Sequence, residues 1–183
     1  LYGPGADSGT FDTFNQAING SKRDSRSDYI SSENDNVLVQ GVASNSNALG
    51  YFGYAYYAAN RNKLRALPVE SDQGPVMPSL ETVQNGSYSP LSRPVFIYVN
   101  AKSLKDSSSL RAFVQYYLNN ATQLVEKEGS IPLTKAQYLV VKSKMLKQVQ
   151  GTAFGGKIPV GLTISELLNR NIDQTIKRPE FHQ

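Results

Sequence analysis

Cysteine is absent from the 183-residue chain, which excludes disulfides, thiolate metal sites and thiol nucleophiles together and leaves the compartment open. Histidine occurs once, as His182 beside the last residue. A Ser-His-Asp triad or a His-rich metal site therefore has no support. No run approaches the roughly 18 consecutive apolar residues of a membrane span. The start of the chain also lacks the basic-then-apolar order of a signal peptide, so Leu1 is expected to be internal to a longer precursor or the product of processing. Positive charge is mild, at +4 overall with a pI near 9.2. Lys and Arg are scattered rather than gathered into the stripe of a nucleic-acid binder. A small anion is the more natural partner, and no nucleic acid is expected.

With 39% apolar and 19% charged residues the chain can bury a proper core, as one large domain or two small ones. Its first residues read as strand, loop and helix: a short apolar start, then Gly3-Pro4-Gly5 and Asp7-Ser8-Gly9-Thr10, then a helical face through Phe11, Phe14, Ala17 and Ile18. Residues 19–32 read as polar surface loop. Ser32, three residues before Asp35, reads as a capping-box-like start for a short helix carrying Val37, Leu38, Val39, Val42 and Ala43. Ala48 to Phe52 predicts a strand entering the aromatic run Tyr54–Tyr57, and Leu64, Ala66, Pro68 and Val69 suggest another. The Ser-, Pro- and Gly-rich stretch 71–92 holds one helical turn near Leu80–Val83, and Pro94–Val99 gives a strong β signal where a domain crossing is expected. Beyond it, Leu110 to Val125 keeps helical spacing for about four turns. Thr134 with Gln137 and Thr163 with Glu166 announce two further helices by capping boxes. The pattern is α/β.

Ser8-Gly9-Thr10 carries the chemistry. Two small hydroxyls flanking a residue without a Cβ, at a helix start, let O–H and N–H donors converge on one tetrahedral oxyanion, and the helix dipole favours negative charge there. The plain alternative is that Ser8 only caps the helix. The aromatic run from Tyr51 to Tyr57 reads as core rather than a stacking platform. Glu33, Asp35 and Asn36 read as acids complementing a helix dipole rather than a metal cluster. Gly151, Gly155, Gly156 and Lys157 fail the phosphate-loop pattern because Ile158 follows the lysine.

The longer string Leu1-Tyr2-Gly3-Pro4-Gly5-Ala6-Asp7-Ser8-Gly9-Thr10-Phe11 resembles the phosphate-contacting loop of the phosphate-binding subunits of bacterial phosphate ABC transporters. The likeness continues through Ser25–Tyr29, Asp35–Val42, Ala48–Tyr57, Pro90–Pro94 and Phe96–Val99, in wording closest to the branch common in cyanobacteria. This resemblance implies a type II periplasmic-binding-protein fold, two α/β lobes with phosphate in the cleft between them. Residues 1–90 would be part of the second lobe and 91–183 the returning part of the first. It also implies that the chain corresponds to the later half to two-thirds of such a protein, the earlier part preceding Leu1.

On the residues themselves, the resemblance assigns Ser8, Gly9 and Thr10 as donors to phosphate oxygens. The family arginine four residues before that serine is Pro4 here, so another cation is expected to serve. Arg26 is the candidate, since a guanidinium grips phosphate through two parallel hydrogen bonds; its plain alternative is a surface arginine. Asp7 and Asp28 are candidates for orienting that arginine or the donors. No catalytic residue, metal or cofactor is expected. The ligand is inorganic phosphate, the partners are a membrane permease with its ATPase and a companion chain supplying the missing half, and the place of action is periplasmic, or the external face of the cytoplasmic membrane. Two alternatives are a phosphatase using Ser8 or Thr10 as nucleophile, which lacks a visible base, and a binding-protein fold that has lost its ligand.

Overall fold

The computed structural model describes residues 1–71, 74–151 and 160–169. These fall into two compact units, the first made of Leu1–Ser92 with Glu128–Ile131, the second of Arg93–Lys127 with the residues from Pro132 onward.

The first unit opens with strand β1 (Tyr2–Gly3), a loop, and helix α1 (Gly9–Asn19), which ends at Gly20 in the left-handed conformation. Strand β2 (Ile30–Ser31) lies parallel to β1 with Tyr2 opposite Ile30 and Gly3 opposite Ser31. On the other side of β1, Gly50 makes a single parallel bridge to Tyr2, so β1 is central and α1 is the crossover of a βαβ unit. Helix α2 (Asp35–Ala43) packs on β1 and on helix α3 (Tyr54–Ala59). The core is Phe11 of α1 with Leu38 and Val39 of α2, over a fully buried Pro4. Asn15 is buried among them and satisfied by donating to the Phe11 carbonyl at 3.0 Å. A β-hairpin of β3 (Val69–Ser71) and β4 (Gly74–Val76) and a short helix α4 (Leu80–Gln84) follow.

Three expectations are corrected here. The helix at Asp35 is capped by Asn34, whose side chain accepts the Asn36 N–H at 3.0 Å, while Ser32 stands two residues outside and accepts the Asn34 N–H at 3.1 Å. Residues 30–31, read as loop, are strand, because backbone pairing to β1 supplies what their polar side chains do not advertise. Tyr54–Tyr57, read as an aromatic strand, is helical: the Ala residues among the tyrosines favour helix, and Tyr54 and Tyr57, three apart on one face, meet edge to face at 6.1 Å.

The second unit contains helices α5 (Ala101–Asp106), α6 (Ser108–Lys127), α7 (Lys135–Leu146) and α8 (Ile164–Asn169). Val114, Leu118 and Ala121 form the buried stripe of α6, and Leu167 is buried on α8, which packs with α7. Both expected capping boxes are present. Thr134 and Gln137 exchange bonds of 3.3 and 2.9 Å, and Thr163 and Glu166 exchange bonds of 3.2 and 2.9 Å. Pro94–Val99, by contrast, forms no strand. Val95 is 86%, Ile97 55% and Tyr98 74% exposed, and a run apolar on both faces holds as a strand only where both faces are covered. No described helix is long and apolar enough to cross a membrane. His182 and the Gly155-Gly156-Lys157 stretch lie outside the described residues.

Candidate anion-binding site

Chain geometry puts the N-terminus of α1 directly after the C-terminal end of β1, where open α/β sheets hold their ligands. Between them Gly3, Pro4 and Gly5 are buried while Ala6, Asp7 and Gly9 are exposed. The loop thus has a fixed floor and an open rim. The floor is clamped by a turn in which Ser8 N–H donates to the Gly5 carbonyl at 3.1 Å, and by the Tyr29 hydroxyl, which donates to the Pro4 carbonyl at 3.0 Å. Tyr51 lies over Gly3, where a Cβ would stand 2.6 Å from its ring, and stacks on Phe14 of α1 at 3.9 Å. Burial pushes the Tyr51 phenol up to about 12, so it stays protonated at any physiological pH.

Ser8 is the N-cap of α1, its Oγ accepting the Thr10 N–H at 3.1 Å. The Asp12 N–H is taken by the Ser8 carbonyl at 3.2 Å. Among the described residues the Gly9 N–H, the Phe11 N–H and the Thr10 hydroxyl have no hydrogen-bond partner, and the Ser8 hydroxyl proton is unspent because its oxygen acts as acceptor. Backbone and hydroxyl donors of this kind at the positive end of an 11-residue helix suit an oxyanion. Among the described residues no three His, Cys, Asp or Glu side chains are grouped to hold a metal.

Arg26 and Asp28 are brought together, with Arg26 Nε and an Nη donating to the two Asp28 oxygens at 2.8 and 2.6 Å. The fork holds the Arg26 guanidinium above its ordinary value and the Asp28 carboxyl below the usual carboxylate range, in each case chiefly through the side-chain hydrogen bonds. Both side chains are well exposed. They follow the C-terminus of α1, a helix about 16 Å long at 1.5 Å per residue, and their described bonds are to each other rather than to Ser8 or Thr10. Asp7 stands exposed on the loop rim.

Sequence reasoning missed Tyr29, Glu33 and Asp12. Gly5 is the one residue whose type hints at a neighbour: the three atoms nearest to a Cβ placed there all belong to the Glu33 carboxyl group, Oε1 at 2.0 Å, so the missing side chain at Gly5 makes room for an acid that stands just before Asn34, the N-cap of α2. Asp12, in the first turn of α1, keeps Oδ1 buried without a partner. Asp35 is raised above the usual carboxylate range by burial and, second, by the charge of Glu33. Tyr29 is raised by the same two causes in the same order.

Residues 1–121 match the family model of the PBP superfamily domain. The chain is similar to Protein SphX of Synechocystis sp., 49% identical over 93% of this chain and 51% of that protein. It is similar also to the phosphate-binding protein PstS of Staphylococcus saprophyticus, 36% identical over 79% of this chain and 44% of that protein. Among solved structures it matches a possible phosphate binding protein from Planctomyces limnophilus with a TM-score of 0.68 and 41% identity, over 82% of this chain and 54% of that one. The chain spans about half the length of the curated relatives it matches.

Proposed function

The chain belongs to the PBP superfamily and has a periplasmic-binding-protein-like α/β fold, and on that premise we propose that it captures inorganic phosphate reversibly, without altering it, for import by an ABC permease. The observation that carries the proposal is the start of α1, where Ser8 caps through its oxygen and keeps its proton, beside the Gly9 N–H, the Phe11 N–H and the Thr10 hydroxyl. Each charge-assisted hydrogen bond contributes roughly 1.5–3 kcal/mol. Four of them, about 6–12 kcal/mol together, offset the lower and middle part of an association cost of about 4–15 kcal/mol, and a cation would add to the margin. Arg26, preset in its fork by Asp28, is the cation we assign, with Asp7 orienting donors from the rim. Phosphate-binding relatives such as the staphylococcal PstS support this reading.

The two lobes of this reading are residues 1–90, with the anion loop, and 91–183. The permease and its ATPase would spend the energy of transport, and the receptor would work outside the cytoplasmic membrane. Because the chain spans about half of its relatives, and because Val95, Ile97 and Tyr98 are exposed together, a region matching the rest of the relatives' length, on the same or on a companion chain, belongs to the working receptor. A phosphatase would need a base to take the Ser8 proton, and the described side-chain bond of Ser8 is to the Thr10 N–H, which is not a base. The experiment is a calorimetric titration of phosphate and then sulfate at neutral pH, on the chain with its complementary polypeptide. Saturable binding of phosphate is the expected result. Heat-silent titration with both anions, and no rise in melting temperature on adding phosphate, would refute the capture reading.

A further inference from the structure

One charged group from outside the loop lies against it and has no part in gripping phosphate. The Glu33 carboxylate lies against the α-carbon side of Gly5, where the three nearest atoms to a Cβ would all be its own, and Gly5 is joined to Ser8 by the turn bond of 3.1 Å. The ends of such a turn are less than about 7 Å apart, so the carboxylate sits against the same turn that leads into the donors. Its field is felt on the neighbouring elements as well, at Tyr29 before β2's first residue and at Asp35 in the first turn of α2. We propose that Glu33 is an affinity-setting residue of the anion loop: its carboxylate, seated on Gly5, opposes the bound anion and keeps capture reversible. This rests on the phosphate reading of the loop.

A carboxylate placed so cannot help the anion by a hydrogen bond unless a proton is shared, and no described residue donates a hydrogen bond to it that would spend its charge. What it does at this distance is Coulombic. The opposition is moderated by solvent, because Glu33 is an exposed residue, and it is screened by salt over about 10 Å at 0.1 M. The same arrangement explains the glycine. Gly5 is not in the left-handed region, so the backbone does not demand glycine there. The space for the carboxylate does.

The test is a charge series at one position, read as phosphate dissociation constants by calorimetry: wild type, Glu33→Gln, Glu33→Lys and, separately, Gly5→Ala. Removing the charge should tighten binding about two- to fivefold at low ionic strength, and reversing it should tighten binding by a similar further factor, both effects shrinking as salt is raised. Gly5→Ala, which leaves the acid in the chain but pushes its flexible end off the loop, should move affinity in the same direction as Glu33→Gln. A purely structural Glu33 predicts the opposite order, with Glu33→Lys the weakest binder and no dependence on salt. Equal affinities across the series, or weaker binding by Glu33→Gln, overturn the inference while leaving the phosphate reading standing. Failure of the unaltered protein to bind phosphate removes both.

Discussion

Ser8 separates helix capping from ligand binding, because the two roles use different parts of one hydroxyl. As N-cap its oxygen accepts the Thr10 N–H; as phosphate ligand its proton would be donated outward. Ser8→Ala removes both. The lost cap is worth about 1 kcal/mol, which for a chain of this size lowers Tm by about 2–4 °C. The lost charge-assisted bond is worth about 1.5–3 kcal/mol, or roughly a 10- to 150-fold weaker Kd. Ser8→Asp is the discriminating variant. Aspartate caps as well as serine and suits the positive end of the helix, so melting followed by circular dichroism should match the unaltered protein, while its charge should abolish phosphate binding in calorimetry. If Ser8→Asp binds phosphate as before, or if Ser8→Ala loses stability but no affinity, Ser8 is a cap alone and the site lies elsewhere.

Perturbations elsewhere in the molecule have equally definite outcomes. Leu38, fully buried in α2, should cost about 2–5 kcal/mol on Leu38→Ala, read from urea melts as a lower midpoint with an unchanged slope. Arg26→Lys keeps the charge but loses the two-pronged grip, so phosphate affinity should fall in Arg26→Lys and fall further in Arg26→Ala, with stability little changed because the pair with Asp28 is exposed. Equal affinities in all three would return Arg26 to the surface. Asp35 is held above the usual carboxylate range by burial and then Glu33, so its protonated form is favoured in the folded state and stability is lost as pH rises past the ordinary carboxylate value, fully so above the raised one. Asp35→Asn should therefore stabilise near neutral pH, by less than about 1 kcal/mol after solvent screening. The gain should fade as pH falls through the raised value and be gone below the ordinary carboxylate value, where both side chains are neutral.

Helices were legible because their signals are local. Ser8, Thr134 and Thr163 announce their helices within four residues, and the caps are where the pattern put them. Strands were harder to read, since what makes Ile30–Ser31 a strand is a backbone partner at Tyr2–Gly3, 28 residues earlier in register, and nothing in Ile30-Ser31-Ser32 states it. The stretch around Gly50 shrank to one bridge for the same reason. The aromatic run misled because tyrosine favours strands while the alanines between, and the three-residue step from Tyr54 to Tyr57, decide for helix. Within the site, the hydroxyls and Gly9 could be read from type and position, whereas Glu33 could not: its contact with Gly5 spans 28 residues and is visible only as the absence of a side chain.

Pro94–Val99 was read as strand from residue types that are right for one, and its side chains nevertheless face solvent. The composition and the conformation agree if covering for both faces comes from a complementary polypeptide, and this has a sharp consequence. Substituting an exposed residue changes stability by no more than about 0.5 kcal/mol as a rule, so Ile97→Asp should leave the melting of this chain by itself nearly unchanged. In a covered strand the same aspartate would bring an unpaired charge into an apolar layer, which costs several kcal/mol. Mixing the chain with a polypeptide supplying the rest of its relatives' length should give a complex on a sizing column for the unaltered protein and none for Ile97→Asp. A complex that forms equally well with Ile97→Asp would show that this segment stays in water in the assembled receptor, and that its strand-like composition has another cause.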